Sequence, residues 1–246
     1  MQTTAAHHRI APWLAVAMCV AVADVNAGSF QVNPIRIDLT RGATNAAITV
    51  RNDGAEPVVV QSSIVAWSQE NSQDVYAPTP EALVTPPIVT VPAGADQIVR
   101  VGLRRPPDPQ RELTYRVYLQ EVPPPPKPGF TGLQVALRIG LPVFIAPLAA
   151  PVRRLEWSAQ IRPDGTIVLS AQNTGNAHVQ VTDFELRSSG GGEPIAHDSS
   201  LAYVLAGQSR QWTLSVPADR VKSTRELRLK AFTDAGEIDT AVPVEP

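Results

Sequence analysis

The chain has 246 residues, a formal net charge of −2, and a single cysteine, Cys19. A nucleic-acid binder is expected to carry a basic stripe, and no such stripe is present. With no thiol after residue 19, a disulfide framework, a thiolate metal site and a cysteine nucleophile are excluded together.

The first segment reads as a secretory signal: His7, His8 and Arg9 form a polar entry, Ile10 to Val22 is mostly apolar, and Val25-Asn26-Ala27 is a small-residue cleavage site. Residues 1–27 are therefore expected to be removed. The apolar run is shorter than the ~20 residues that a membrane span needs, so the expectation is export without membrane insertion. What remains exceeds the ~100 to 150 residues commonest for one domain, and two domains follow, at 28–147 and 148–246.

Proline is abundant, at 24 residues, helical periodicity is nearly absent, and short runs rich in Val, Ile and Thr recur between turn residues. An all-β fold is the reading. In chain order the predicted strands of the first domain are 31–39, 46–52, 58–67, 88–91, 96–103, 114–122 and 133–145. Asp53-Gly54, the proline-rich 77–87, Pro92-Ala93-Gly94 and Pro106-Pro107-Asp108-Pro109 separate them. Arg100, Arg104, Arg105 and Arg111 form a loose basic stretch, either ordinary loop arginines or a contact for an acidic partner. After a hinge at 147–151, strands are predicted at 155–161, 166–173, 179–188, 201–205, 209–216, 226–233 and 237–244. Such spacing suggests two immunoglobulin-like sandwiches.

The last predicted strand of the first domain is too long for its sandwich. Leu133, Val135, Leu137, Ile139, Leu141, Val143 and Ile145 form an apolar row with a period of two. Thirteen residues extend roughly 43 Å at about 3.3 Å each, against ~17 to 20 Å for an ordinary strand. Two readings stay open. Either this is a core strand drawn too long, or its far half enters another protein by β-augmentation. A bare apolar edge of this kind also invites self-association of the free chain.

Enzyme chemistry finds no footing. Two histidines follow the signal, His178 and His197, neither within a metal-ligand or triad pattern, and Gly-x-Ser-x-Gly is absent. Each histidine is expected to be a partly exposed polar residue. No catalytic residue, metal or cofactor is assigned.

Several segments together resemble the periplasmic chaperones of the chaperone-usher pathway, the pilus-assembly family. They are Phe30 to Ile37, Thr85-Pro86-Pro87-Ile88 leading to Val99-Arg100-Val101, Tyr115 to Pro123, and Leu133 to Pro147. The short link 124–132 and the Asn173-Thr174-Gly175-Asn176 turn look more like the archaic branch that assembles Csu-type or spore-coat-U-like fibres. The resemblance implies an L-shaped pair of immunoglobulin-like domains in the periplasm. It also implies pilin subunits and an outer-membrane usher as partners, and donor-strand complementation, in which Leu133, Val135, Leu137 and Ile139 fill the gap in an incomplete subunit. Arg36 matches the family's first-strand arginine, which holds the C-terminal carboxylate of the bound pilin. Pro142 stands where a lysine is usual, leaving Arg138, four residues earlier, as the candidate second cation. Ala146 stands where an arginine of the interdomain bridge is expected. The competing reading is an exported structural or adhesive β-sandwich protein of the cell surface, which needs neither the arginine nor the long strand.

Overall fold

The computed structural model describes residues 30–126, 128–129, 131–217, 220–221 and 225–245. The expected signal segment lies outside them. Among the described residues there is no α-helix, and the strands gather into two sandwiches.

The first sandwich contains β1 (Phe30–Asn33), β2 (Ile37–Leu39), β3 (Asn45–Asn52), β4 (Val58–Glu70), β5 (Gln73–Pro78), β6 (Ala82–Thr85), β7 (Ile88–Val91), β8 (Asp96–Leu103), β9 (Leu113–Glu121) and β10 (Arg138–Ile145). One sheet runs β1-β3-β8-β6. The facing sheet runs β2-β10-β9-β4-β5, with β7 also on β4. Alternation decides what lies between them. Tyr115, Val117 and Leu119 of β9 and Leu141, Val143 and Ile145 of β10 are buried with Val99 and Val101 of β8. Arg116 and Tyr118 of β9 take the opposite face. Each fully buried aliphatic side chain contributes about 1.5 to 3 kcal/mol.

The second sandwich contains β11 (Leu155–Ile161), β12 (Thr166–Asn173), β13 (Val179–Ser188), β14 (Ala196–Asp198), β15 (Ala202–Val204), β16 (Ser209–Ser215), β17 (Glu226–Thr233) and β18 (Gly236–Glu245). The strand β18 joins its layers, lying antiparallel to β17 and, near its end, parallel to β11. Trp157, Phe184 and Trp212 pack against one another in its core.

The expected strand 31–39 is in fact two. Its first part joins one sheet through β3 and its second the other through β10, with Pro34, which has no N–H, at the switch. The segment read as a proline-rich turn at 77–87 holds all of β6 and the end of β5, and β14 was not expected at all.

Each sandwich also carries the same buried asparagine. Asn52, ending β3, donates through Nδ2 to the carbonyls of Glu56 and Val91, and its Oδ1 accepts the Gly54 amide. Asn173, ending β12, does the same with Ala177, Val204 and Gly175. The shared Asn-x-Gly triplet is the sequence trace of this repeated device. At Gly175 a Cβ would lie 2.1 Å from the Val152 carbonyl oxygen, so only glycine lets the interdomain segment pass this close.

Candidate functional site

The long apolar row is divided by the structure. Regular pairing on β9 starts at Arg138, so the strand has eight residues where thirteen were expected. Leu141, Val143 and Ile145 are at most 2 % exposed, whereas Leu133 is 87 % and Val135 54 % exposed. Leu137 and Ile139 are intermediate, partly buried against the rim of their own core. The outer edge of β10 is covered by β2 only at Val143, Phe144 and Ile145. Among the described residues, no strand pairs with the outer edge from Arg138 to Pro142.

Side chains on the outward face of this sheet meet the second domain in a cleft. Arg36, between β1 and β2, directs Nε to Asp38 at 3.0 Å and Nη1 to Asp234 at 3.2 Å, and its guanidinium lies 5.3 Å from the Phe144 ring centre. Asp234 belongs to the turn between β17 and β18, so Arg36 bridges the domains. Burial works against the Asp234 carboxylate, yet nearby His178, the Gln180 amide and Arg36 outweigh it and hold its pKa at about 2.

Arg138 does not join Arg36. Its guanidinium sits 4.0 Å from the Tyr118 ring centre, and it stands six positions along β10 from Phe144, roughly 20 Å at about 3.3 Å per residue. The second cation near the cleft is instead Arg116, opposite Pro142 in the β9–β10 register. Its Nη1 donates to the Tyr76 hydroxyl at 2.9 Å, and its guanidinium lies 5.2 Å from the Trp67 ring centre. Among the described residues Arg116 has no carboxylate partner, whereas Arg36 has two. Arg36 lies over Phe144 and Arg116 over Trp67, and the centres of those two rings are 5.9 Å apart, so the two cations flank one aromatic cluster. Gly140 makes room for this arrangement, because a Cβ there would meet Tyr118 at 3.0 Å and Arg116 at 3.1 Å.

His178 is fully buried, contrary to the expectation of a partly exposed residue, because the domain junction encloses it. Its ring stacks on Phe144 with centres 3.5 Å apart, Nδ1 lies 2.7 Å from Glu112 Oε1, and Nε2 lies 3.5 Å from Asp234 Oδ2. Burial opposes the imidazolium, but Asp234 and Glu112 outweigh it and raise the pKa above the usual histidine value. Glu112 and Arg36 come from the first domain, His178 and Asp234 from the second. This alternating chain links the domains without an arginine at position 146. Gln69 reinforces it, donating to the Tyr203 carbonyl and accepting the Leu205 amide, beside a buried cluster of Trp67, Phe144 and Leu205. His197 is exposed and paired with Asp183 at 2.8 Å. No cluster of His, Cys, Asp or Glu among the described residues is arranged to hold a metal.

Sequence reading missed Arg116, Glu112 and Asp234. For Arg116 a signal was available: in Tyr115-Arg116-Val117-Tyr118 the period of two places the arginine on the face opposite the core.

Two immunoglobulin-like sandwiches are the fold of the PapD-like pilus-assembly chaperones, and solved structures share it. A chain of the CsuC–CsuE chaperone-tip adhesion subunit pre-assembly complex, from archaic chaperone-usher Csu pili of Acinetobacter baumannii, matches with a TM-score of 0.66 at 20% identity, covering 89% of this chain and 100% of that one. The Salmonella enterica SafA pilin–SafB chaperone complex gives 0.60 at 22% identity, covering 89% and 97%. The family model for the pili and flagellar-assembly chaperone, PapD N-terminal domain, matches residues 29–151, and the chain belongs to that family. A curated relative, the chaperone protein FimB/FhaD of Bordetella pertussis, is 27% identical over 205 residues, 78% of this chain and 80% of the relative. The family consists of assembly chaperones, not enzymes.

Proposed function

We propose that this chain is a periplasmic chaperone that holds an incomplete pilin subunit by lending it the segment from Leu133 to Ile139, and then delivers it to an outer-membrane usher. The observation that carries the reading is the exposure of Leu133 and Val135 at the free end of a strand whose other end is core. Burying both in a groove of the pilin contributes about 1.5 to 3 kcal/mol each before ordering costs, and the unpaired edge of β10 supplies main-chain hydrogen bonds. Leu137 and Ile139, already half-covered, contribute less and fix the register.

The terminal carboxylate of the pilin fits the cleft between Arg36 and Arg116. A guanidinium pairs with a carboxylate through two parallel charge-assisted bonds, and Arg116 brings a charge not already neutralised. Arg138, on its tyrosine further up the strand, faces the body of the pilin. The archaic branch is the sub-assignment we favour, from the Asn173 to Asn176 turn and the fold shared with the Csu complex. Export to the periplasm rests on the signal-like residues 1–27.

Co-expression with fibre subunits from the same genome tests the reading. The wild-type protein should co-purify with a pilin from the periplasmic fraction, and Leu133→Asp with Val135→Asp should abolish this without unfolding the chaperone. Undiminished co-purification by the double variant contradicts strand lending.

A further inference from the structure

The segment proposed as the donor lies beside the chain that precedes it, and the β9–β10 register shows why the two do not zip together. The register pairs Arg138 with Gln120 and Ile139 with Leu119. Extended by one step, it places Leu137 opposite Glu121, and the Glu121 amide does donate to the Leu137 carbonyl at 2.8 Å. Pairs that exchange hydrogen bonds recur at every second position of an antiparallel ladder. The next would be Val135 with residue 123, then Leu133 with residue 125. Both partners are prolines, Pro123 and Pro125, and neither has an N–H to give to the Val135 or Leu133 carbonyl.

The last regular pair is also diverted. The Leu137 amide donates to the Glu121 side chain, at Oε2 and 3.2 Å, in place of completing the reciprocal main-chain bond. One further tie follows, from Gln134 Nε2 to the Pro124 carbonyl at 3.0 Å, in the position that the continued register gives it. A proline run is stiff and extended, so it supplies a straight rail that aligns the segment without saturating it.

We infer that Pro123 and Pro125 are positioning residues that block self-pairing of the donor segment, while Glu121 and Gln134 hold it alongside, extended and ready. This inference rests on the strand-lending reading and adds how the free protein keeps that strand available. Without the block, β9 and β10 would continue as a hairpin, and a pilin groove that closes on both edges of the segment, the β9-facing one included, would first have to break those bonds.

Amide exchange on the full-length mature protein without a bound pilin tests the block directly. In the Pro123→Ala/Pro125→Ala variant, the amides introduced at positions 123 and 125 should donate to the Val135 and Leu133 carbonyls and exchange about fivefold or more slowly than an open amide, the size expected for one hydrogen bond each. The Leu133 and Val135 amides, drawn into the same closed ladder, should exchange more slowly than in the wild type. Glu121→Ala should speed exchange at Leu137 by a similar factor, and Glu121→Gln, which keeps an acceptor, should restore it. Unchanged or faster exchange at Leu133 and Val135 in the proline variant overturns the inference. A second arm uses as probe the pilin that co-purifies with the wild-type protein. The proline variant should capture it several-fold more slowly at unchanged thermal stability, and capture at the wild-type rate counts against the block. The Leu133→Asp/Val135→Asp control separates the two claims. If that control still captures the pilin, the strand-lending reading fails; if it does not capture while the proline variant behaves as wild type, only the present inference fails.

Discussion

Leu133 and Val135 differ from Leu141 and Val143 only in position along one apolar row, yet the first pair faces solvent and the second pair is core. The period of two settles which face of a strand is greasy. It does not settle whose core that face enters. That depends on what the rest of the chain places opposite. β8 and β3 of the facing sheet supply buried partners such as Val99 and Val50 for the inner half of the row, while a proline run borders the outer half. A single sequence pattern thus serves self-recognition at one end and, in our reading, recognition of another protein at the other.

The sharpest way to break this comparison is to disturb each end in turn. Leu141→Ala should cost about 2 to 5 kcal/mol of stability, read in denaturant unfolding, and should reduce pilin capture only as far as it unfolds the protein. Leu133→Asp should do the reverse. Stability should move by no more than about 0.5 kcal/mol, as for an exposed site, while pilin capture falls by about tenfold or more, equivalent to about 1.4 kcal/mol.

The cleft sharpens the contrast on a smaller scale. Arg116→Ala should weaken capture by several-fold and leave domain docking intact, since no carboxylate depends on it. Arg36→Ala should weaken capture and also loosen the junction, because Asp234 loses a partner. The stability part should stay under about 1 kcal/mol for so partly exposed a pair. Titration calorimetry with a peptide copying the last residues of the pilin, with and without its free carboxylate, separates the two roles.

The smallest expected effect is in the pH dependence of stability. His178 has a folded pKa above its ordinary 6.5, so its contribution is full below about 6.5 and is lost as pH rises through the folded value. Asp234, held at about 2 against an ordinary 3.8, contributes above about 3.8 and loses that contribution as pH falls toward 2. Thermal stability of the wild type should therefore weaken as pH rises above about 6.5 toward the folded value of His178, and His178→Asn should flatten that limb and also shrink the acid one, since His178 is among the groups that hold the Asp234 carboxylate ionised.

Much of the fold was legible because alternating Val, Ile and Thr runs between turn residues mark strands wherever one face is buried. β7, β8, β11, β12, β13 and β17 match their expected bounds. The reading failed where local pattern and tertiary pairing part company. At β1 and β2 a continuous apolar pattern crosses from one sheet to the other, and β5 and β6 are short edges flanked by proline. Of the candidate site, the over-long apolar row was readable from spacing and Arg36 from resemblance; the donor role of the row stays a proposal. Glu112, His178 and Asp234 were not singled out as a set, because domain docking brings Glu112 to His178 across 66 residues and Arg36 to Asp234 across 198, and no local spacing records either.

Amide exchange across the whole row, measured with and without a bound pilin, tests the central claim most directly. Strand lending predicts that residues 133–136 pass from rapid exchange to strong protection on binding, while Leu141, Val143, Phe144 and Ile145 are protected in both states. Segment 133–136 exchanging equally fast in the complex would show that the row is not lent, and would contradict the proposed mechanism.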